Sequence, residues 1–111
     1  MGADQSQDEI KSMVNSAPVV MFSKNSCAYC VKAQRLLETE HIRYVAYDLN
    51  RLTGAAHLVE TLIRRTGSRT VPQIFVCGNY IGGFLELSQL SQSKQLKDLV
   101  TQCSNNLAMR S

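Results

Sequence analysis

No stretch of this chain approaches the ~18–20 consecutive apolar residues of a membrane-spanning helix. The longest apolar run, Ala17 to Phe22, has the length of a strand. There is no tryptophan, and aromatic residues make up only 6%. Charge is weakly biased: 12 Lys and Arg against 9 Asp and Glu leave +3, too little to argue for a nucleic-acid partner. No secretory signal is visible. Met1 to Ile10 is polar and holds Asp4, Asp8 and Glu9, whereas a mitochondrial presequence is Arg-rich and acid-poor. The expectation is an intracellular, cytoplasmic chain whose thiols stay reduced, or a mitochondrial one if a presequence has been removed. Met1-Gly2-Ala3-Asp4-Gln5-Ser6 fits the loose myristoylation pattern, which a chance match explains as well. Cysteine is sparse: four in 111 residues, Cys27, Cys30, Cys77 and Cys103, too few for a disulfide scaffold.

The composition, 44% apolar and 19% charged, suits one globular domain. There is no repeat, low-complexity tract or linker. Gln7 to Asn15 is a short amphipathic pattern with Ile10, Met13 and Val14 on one face, stopped by Ser16-Ala17-Pro18. Val19 to Phe22 reads as a strand buried on both faces. After a polar loop, Ala28 to Glu40 is helical, with Val31, Ala33, Leu36 and Leu37 as its apolar positions. Ile42 to Leu49 reads as a second strand. Ala55 to Thr66 is a helix with Val59, Leu62 and Ile63 on its stripe and Gly67 as its C-terminal cap. Pro72 opens a strand through Val76, Gly78-Asn79 signals a turn, and Tyr80-Ile81 returns. Gly82-Gly83 breaks the strand. Helical patterns follow over Leu85–Ser91 and Lys94–Cys103, the second carrying Leu96, Leu99, Val100 and Cys103 on one side. The order α-β-α-β-α-β-β-α-α predicts an α/β fold, a four-stranded mixed sheet flanked by helices.

Cys27-Ala28-Tyr29-Cys30 falls where the first strand meets the long helix, the setting of a redox motif. A cysteine at a helix N-terminus meets unpaired N–H groups and the positive end of the macrodipole, which favour the thiolate. Such sites lower a thiol pKa from ~8.5 to roughly 3.5–7.5. Lys24 adds positive charge nearby. The outer sulfur, Cys27, is the expected nucleophile, and Cys30, one turn in, resolves mixed disulfides. The competing reading is half of a zinc site, but no second Cys-x-x-Cys or His pair completes it, since His41 and His57 stand apart. Cys77 and Cys103 are expected to be buried, inert thiols at the ends of apolar elements, the alternative being an exposed Cys103 that forms a regulatory or intermolecular disulfide.

Residues 66–83, Thr-Gly-Ser-Arg-Thr-Val-Pro-Gln-Ile-Phe-Val-Cys-Gly-Asn-Tyr-Ile-Gly-Gly, taken with the Cys27–Cys30 motif, resemble the glutaredoxin signature. The resemblance runs from about Gln7 to Cys103 and implies one domain, with residues 1–6 and 104–111 as flexible ends. Thioredoxin is a poorer match, because its Trp-Cys-Gly-Pro-Cys is absent. The resemblance implies a thioredoxin-like fold and a glutathione-dependent thiol–disulfide oxidoreductase. It also implies a cis Pro72, with Thr70 and Val71 offering strand-like bonds to the glutathione backbone. Gly83, Phe84, Leu85 and Glu86 would receive the γ-glutamyl carboxylate at a helix N-terminus. Glu86 stands where the family usually has Asp. Lys24 and Arg64 would meet the glycyl carboxylate, Arg64 replacing a common Gln, and Tyr29 would pack beside the reactive sulfur. Arg65 reads as solvated surface. The implied partners are glutathione and glutathionylated or disulfide-bonded proteins, with no nucleic acid and no membrane. An alternative follows from Ala28, where many glutaredoxins carry Pro. Some members with a small residue there share a [2Fe–2S] cluster between two subunits through Cys27 and glutathione. The chain is then a monomer in the first reading and a cluster-bridged homodimer in the second.

Overall fold

The computed structural model describes residues 5–110, with side chains described for 7–104. The myristoylation pattern at Gly2 lies outside the described residues. Nine elements follow in the expected order: α1 (Gln5–Val14), β1 (Val19–Ser23), α2 (Ala28–Thr39), β2 (Tyr44–Asp48), α3 (Ala55–Thr66), β3 (Gln73–Val76), β4 (Asn79–Gly82), α4 (Phe84–Gln92) and α5 (Gln95–Arg110). The strands form one sheet in the order β2-β1-β3-β4. β1 and β2 are parallel, joined across α2, while β1–β3 and β3–β4 are antiparallel. No helix among the described residues is long and apolar enough to cross a membrane.

The central strands are apolar on both sides because helices cover both faces of the sheet. Alternate residues of β1 divide between two cores. Val19 and Met21 face Ile74 and Val76 of β3, Cys30, Ala33 and Leu37 of α2, Leu87 of α4 and Leu96 of α5. Val20 and Phe22 face Phe75, Ile10 and Val14 of α1, and Leu58 and Leu62 of α3. Phe22 stacks on Tyr47 at 5.5 Å between centroids and meets Phe75 edge-on at 5.8 Å. Gly67 ends α3 at φ 78°, its N–H bonded to the Ile63 carbonyl, as the sequence indicated.

Several expectations change. α1 starts at Gln5, and α5 continues to Arg110, beyond the Cys103 boundary read from the apolar pattern. Val31, counted with the apolar face of α2, is 46% exposed, and Cys30 takes its place in the core. On α3 the buried positions are Leu58, Thr61 and Leu62. Thr61 can be buried because its hydroxyl donates to the His57 carbonyl at 2.9 Å.

The largest correction concerns Cys77 and Cys103, which are joined in a disulfide and only half-buried, rather than being inert buried thiols. Cys77 does not end β3. It occupies the first position of a two-residue turn, with φ 52° at Cys77 and 83° at Gly78, the signs a type I′ hairpin requires. The β1–β3 register pairs Val19 with Val76, so the turn arrives beside Pro18, whose carbonyl accepts the Cys77 N–H at 2.8 Å. α5 passes over this end of the sheet and brings Cys103 to a Cα–Cα distance of 5.5 Å from Cys77. Closing this loop, whose ends are 26 positions apart in sequence, contributes about 3–4 kcal/mol on chain-entropy grounds.

Phe22→Ala should destabilise the protein by about 3–5 kcal/mol, because it empties a fully buried position on a central strand. The shift of the urea unfolding midpoint at unchanged slope measures it, and a loss below about 1 kcal/mol would contradict the two-sided packing of β1.

Candidate active site

β1 ends at Ser23, and four residues later the chain enters α2 with Cys27 at the N-cap, φ −102° and ψ 105°. This extended backbone turns the Cys27 side chain back over the first turn, where its sulfur accepts the Cys30 N–H at 3.1 Å. Sulfur thus does what a Ser or Asp oxygen does in an ordinary N-cap. It is joined to Cys30 in a disulfide spanning 5.2 Å between Cα atoms. The two cysteines differ in access: Cys27 is half-buried, while Cys30 is 2% exposed and packs in the core beneath α2. The Cys30 N–H contact and the helix dipole both favour negative charge on the Cys27 sulfur once the pair is reduced. Burial gives Cys30 no such advantage.

The Val71–Pro72 peptide is cis, and the Val71 carbonyl oxygen lies 3.8 Å from the Cys27 sulfur. Beyond it opens a groove of about 870 Å³. Ser68, Thr70, Val71 and Pro72 line one side, and β4 with the start of α4 lines the other. Tyr29 and Phe84 meet at its rim with centroids 5.9 Å apart, and the Lys32 ammonium sits 5.0 Å over the Tyr29 ring. The groove therefore gathers eight of the residues singled out in the sequence: Tyr29, Thr70, Val71, Pro72, Gly83, Phe84, Leu85 and Glu86.

Gly83 caps α4 in extended conformation, leaving the N–H groups of the first turn directed out of the helix end. Glu86 is not simply a groove side chain. Its Oε1 accepts the Gly83 N–H at 2.7 Å, half of a capping box, the other half being unavailable to a glycine. A Cβ at Gly82 would lie 2.6 Å from that same oxygen, and φ is +120° there, so the position requires glycine.

The two basic residues assigned to the glycyl carboxylate separate from this set. Lys24 lines a second groove, about 670 Å³, on the opposite side of the cysteine loop with Cys27 and Cys30. Gln34, Asp48 and Arg51 also line that groove, and Arg51 pairs with Asp48 at 3.5 Å. Arg64, in the last turn of α3, lines neither. Arg65, read as surface, reaches Gln7 of α1 at 3.2 Å. Sequence reasoning missed Ser68, Tyr80 and Ile81 in the first groove and Gln34, Asp48 and Arg51 in the second. The hairpin signal could have found Tyr80 and Ile81, since the return strand must run beside the one that Pro72 opens. No group of three or more His, Cys, Asp or Glu side chains is placed to hold a metal among the described residues.

The glutaredoxin family model matches residues 19–81, from β1 to the hairpin's return strand. Mitochondrial glutaredoxin-2 of Rattus norvegicus is 35% identical over 103 residues, 93% of this chain. The chain spans 66% of that relative's length, just under two thirds. Glutaredoxin-C2 of Arabidopsis thaliana is 38% identical over 92 residues, 83% of each chain. Among solved structures, a buckwheat glutaredoxin–glutathione complex superposes with a TM-score of 0.85 at 30% identity, covering 90% of this chain and 91% of that one. With a family model spanning more than half its length and relatives at this identity across most of it, the chain belongs to the glutaredoxin family.

Proposed function

We propose that the protein is a glutathione-dependent thiol–disulfide oxidoreductase acting on glutathionylated and disulfide-bonded proteins. The observation that carries this is the Cys27 sulfur at the N-cap of α2, held by the Cys30 N–H at 3.1 Å and 3.8 Å from the carbonyl oxygen of Val71, which lines the groove. The buckwheat relative that shares the fold is solved with glutathione. In the reducing direction, the Cys27 thiolate attacks the glutathione sulfur of a protein–glutathione mixed disulfide. The target thiolate leaves and takes a proton from solvent, and Cys27 carries glutathione. A second glutathione thiolate attacks that sulfur, releasing oxidised glutathione and regenerating the Cys27 thiolate. For a protein disulfide, Cys27 forms the mixed disulfide and Cys30 displaces the target, giving the Cys27–Cys30 bond. The bound tripeptide would lie against Thr70 and Val71, with its γ-glutamyl carboxylate on the N–H groups of Phe84 and Leu85. Glu86, fixed by the Gly83 N–H, would set the backbone of that turn. Lys24 would act on charge from the second groove, and Arg64 through the wider field. Such exchange needs a compartment supplied with reduced glutathione; the rat relative is mitochondrial, and the cytoplasm meets the same need.

A second reading is a glutathione-ligated [2Fe–2S] cluster bridging two copies. Ala28 at the first helical position, where proline would stiffen the loop, and the exposed Tyr29, Val31 and Leu85 around the half-buried Cys27 favour it. Cys27 is the only accessible thiolate ligand this site could offer per chain, so the cluster would need Cys27 from both copies and two glutathione sulfurs. Anaerobic reconstitution with iron, sulfide and glutathione should then give a coloured dimer, and a colourless monomer would exclude it.

Cys27→Ser should abolish turnover of a small glutathione mixed disulfide coupled to glutathione reductase, while Cys30→Ser should retain much of it. Equal loss in both would overturn the division of roles. The anion site is tested through its backbone. Gly83 is extended, which accommodates a following proline, and proline is tolerated at the first helical position. Phe84→Pro should therefore remove one N–H and raise KM for the glutathionylated substrate about tenfold over Phe84→Ala at similar kcat. Equal KM in the two variants would move the carboxylate elsewhere.

A further inference from the structure

We propose that the Cys77–Cys103 disulfide is a second site of thiol–disulfide exchange, opened by a small anionic thiol that enters along a basic cleft at the end of β3 remote from Cys27. β3 begins next to Pro72 at the active site and ends at Val76, just before Cys77 in the turn, so the two disulfides lie towards opposite ends of one buried strand. Three observations distinguish the second bond from an inert cross-link.

The first is access. Both cysteines are half-buried, whereas Cys30 of the active pair is almost fully enclosed. Exposed disulfides are the ones open to attack by thiolates.

The second is the cleft. A depression of about 420 Å³ lies at this end of the molecule, within the ~300–1,000 Å³ range of small-molecule sites. Pro18, Val100 and Ser104 line it on the disulfide side. Pro18 carries the carbonyl that holds Cys77, Val100 lies one helical turn before Cys103, and Ser104 follows it. Arg43, Lys97 and His41, all exposed, line it as well. The acid in the lining, Glu40, accepts the Ser91 hydroxyl. Arg43 and Lys97 outnumber Glu40 in this lining, and Ser104 joins it to Cys103, so the cleft attracts an anionic thiol and raises the local thiolate concentration.

The third is a receptor for the leaving group. The Cys77 sulfur lies 3.1 Å from the Leu99 carbonyl oxygen, closer than the Cys103 sulfur to the Val100 oxygen at 3.6 Å, so a thiol formed at Cys77 has the nearer acceptor in place. The order of attack follows. The incoming thiolate, having approached past Val100 and Ser104, bonds to the Cys103 sulfur. The Cys77–Cys103 bond breaks, and Cys77 leaves as a thiolate that takes a proton from solvent, the resulting S–H donating a hydrogen bond to the Leu99 carbonyl oxygen. A second thiolate then attacks the sulfur of the adduct, releasing the oxidised small-molecule disulfide and the Cys103 thiolate. Two electrons pass from two thiols to the protein.

The test uses the full chain carrying Cys27→Ser and Cys30→Ser, so that only the second pair reacts and the Cys27 mechanism does not enter. Millimolar glutathione is added, samples are alkylated at intervals, and intact and peptide masses count opened pairs and locate the adduct. The expected result is opening of the folded protein through a glutathione adduct on Cys103. Adding Arg43→Glu and Lys97→Glu should slow glutathione about tenfold, while neutral mercaptoethanol keeps its rate within about twofold. Raising salt should slow glutathione and not mercaptoethanol in the parent chain, which tests the cleft without any further substitution. A pair that stays closed to both thiols in the folded protein overturns the proposal. So does an adduct on Cys77, a glutathione rate indifferent to charge and salt, or charge reversal that slows both thiols alike.

Discussion

The antiparallel register of β1 and β3 is the constraint on which the rest depends. Phe22 pairs with Gln73 at one end and Val19 with Val76 at the other. The first pairing brings the cysteine loop and the Val71–Pro72 peptide out at the same edge of the sheet, so the Cys27 sulfur finds the Val71 carbonyl across 44 residues of sequence. The parallel pairing of Ser23 with Asp48 brings the β2–α3 loop to the same edge, where the Asn50 side chain accepts the Asn25 N–H at 2.8 Å. The second antiparallel pairing sets Cys77 beside Pro18 at the far end. A slip of one residue would turn Phe22 and Val20 away from their core, and that penalty protects both ends at once.

Within that frame the chemistry comes from an asymmetry of burial. One cysteine stands at a helix end, where donors are unpaired, and the other lies under the helix among aliphatic side chains. The same three-residue spacing therefore yields two thiols of different character. The groove is also assembled from unequal parts. Backbone supplies polar groups at Val71 and at the start of α4, Ser68, Thr70 and Glu86 add polar side chains, and Tyr29, Tyr80 and Phe84 give the groove its shape. Backbone donors do not depend on side-chain identity, so Phe84 and Leu85 carry the same N–H groups at the start of α4 as any other non-proline residues would.

The sequence made the nine elements legible because each boundary carries local chemistry: Ser16 and Pro18 after α1, Cys27 before α2, Gly67 after α3, and Gly82-Gly83 between β4 and α4. The reactive pair and most of the groove were legible for the same reason, since strand ends and helix starts are marked in the chain itself. What escaped depends on distance in space. The apolar pattern of α2 counts Val31 and Leu37 alike, yet only one lies over the sheet. Lys24 and Arg64 look equivalent as charges, but the loop carries Lys24 to the far side of the cysteines, and α3 ends with Arg64 outside both grooves. Cys77 and Cys103 are each marked by an apolar element, and nothing local says that a hairpin turn and a C-terminal helix meet.

The cross-link between Cys77 and Cys103 also changes what the chain is as an object. It is no longer a thread but a thread with a ring, and the ring contains β4, all of α4 and the first turns of α5. A linear chain passes a narrow channel in single file. This one, once unfolded with the bond intact, would have to pass two strands abreast over the ring. Import pores and the entrances of degradative proteases that admit a single extended strand would therefore discriminate between the oxidised and reduced forms of the same unfolded protein.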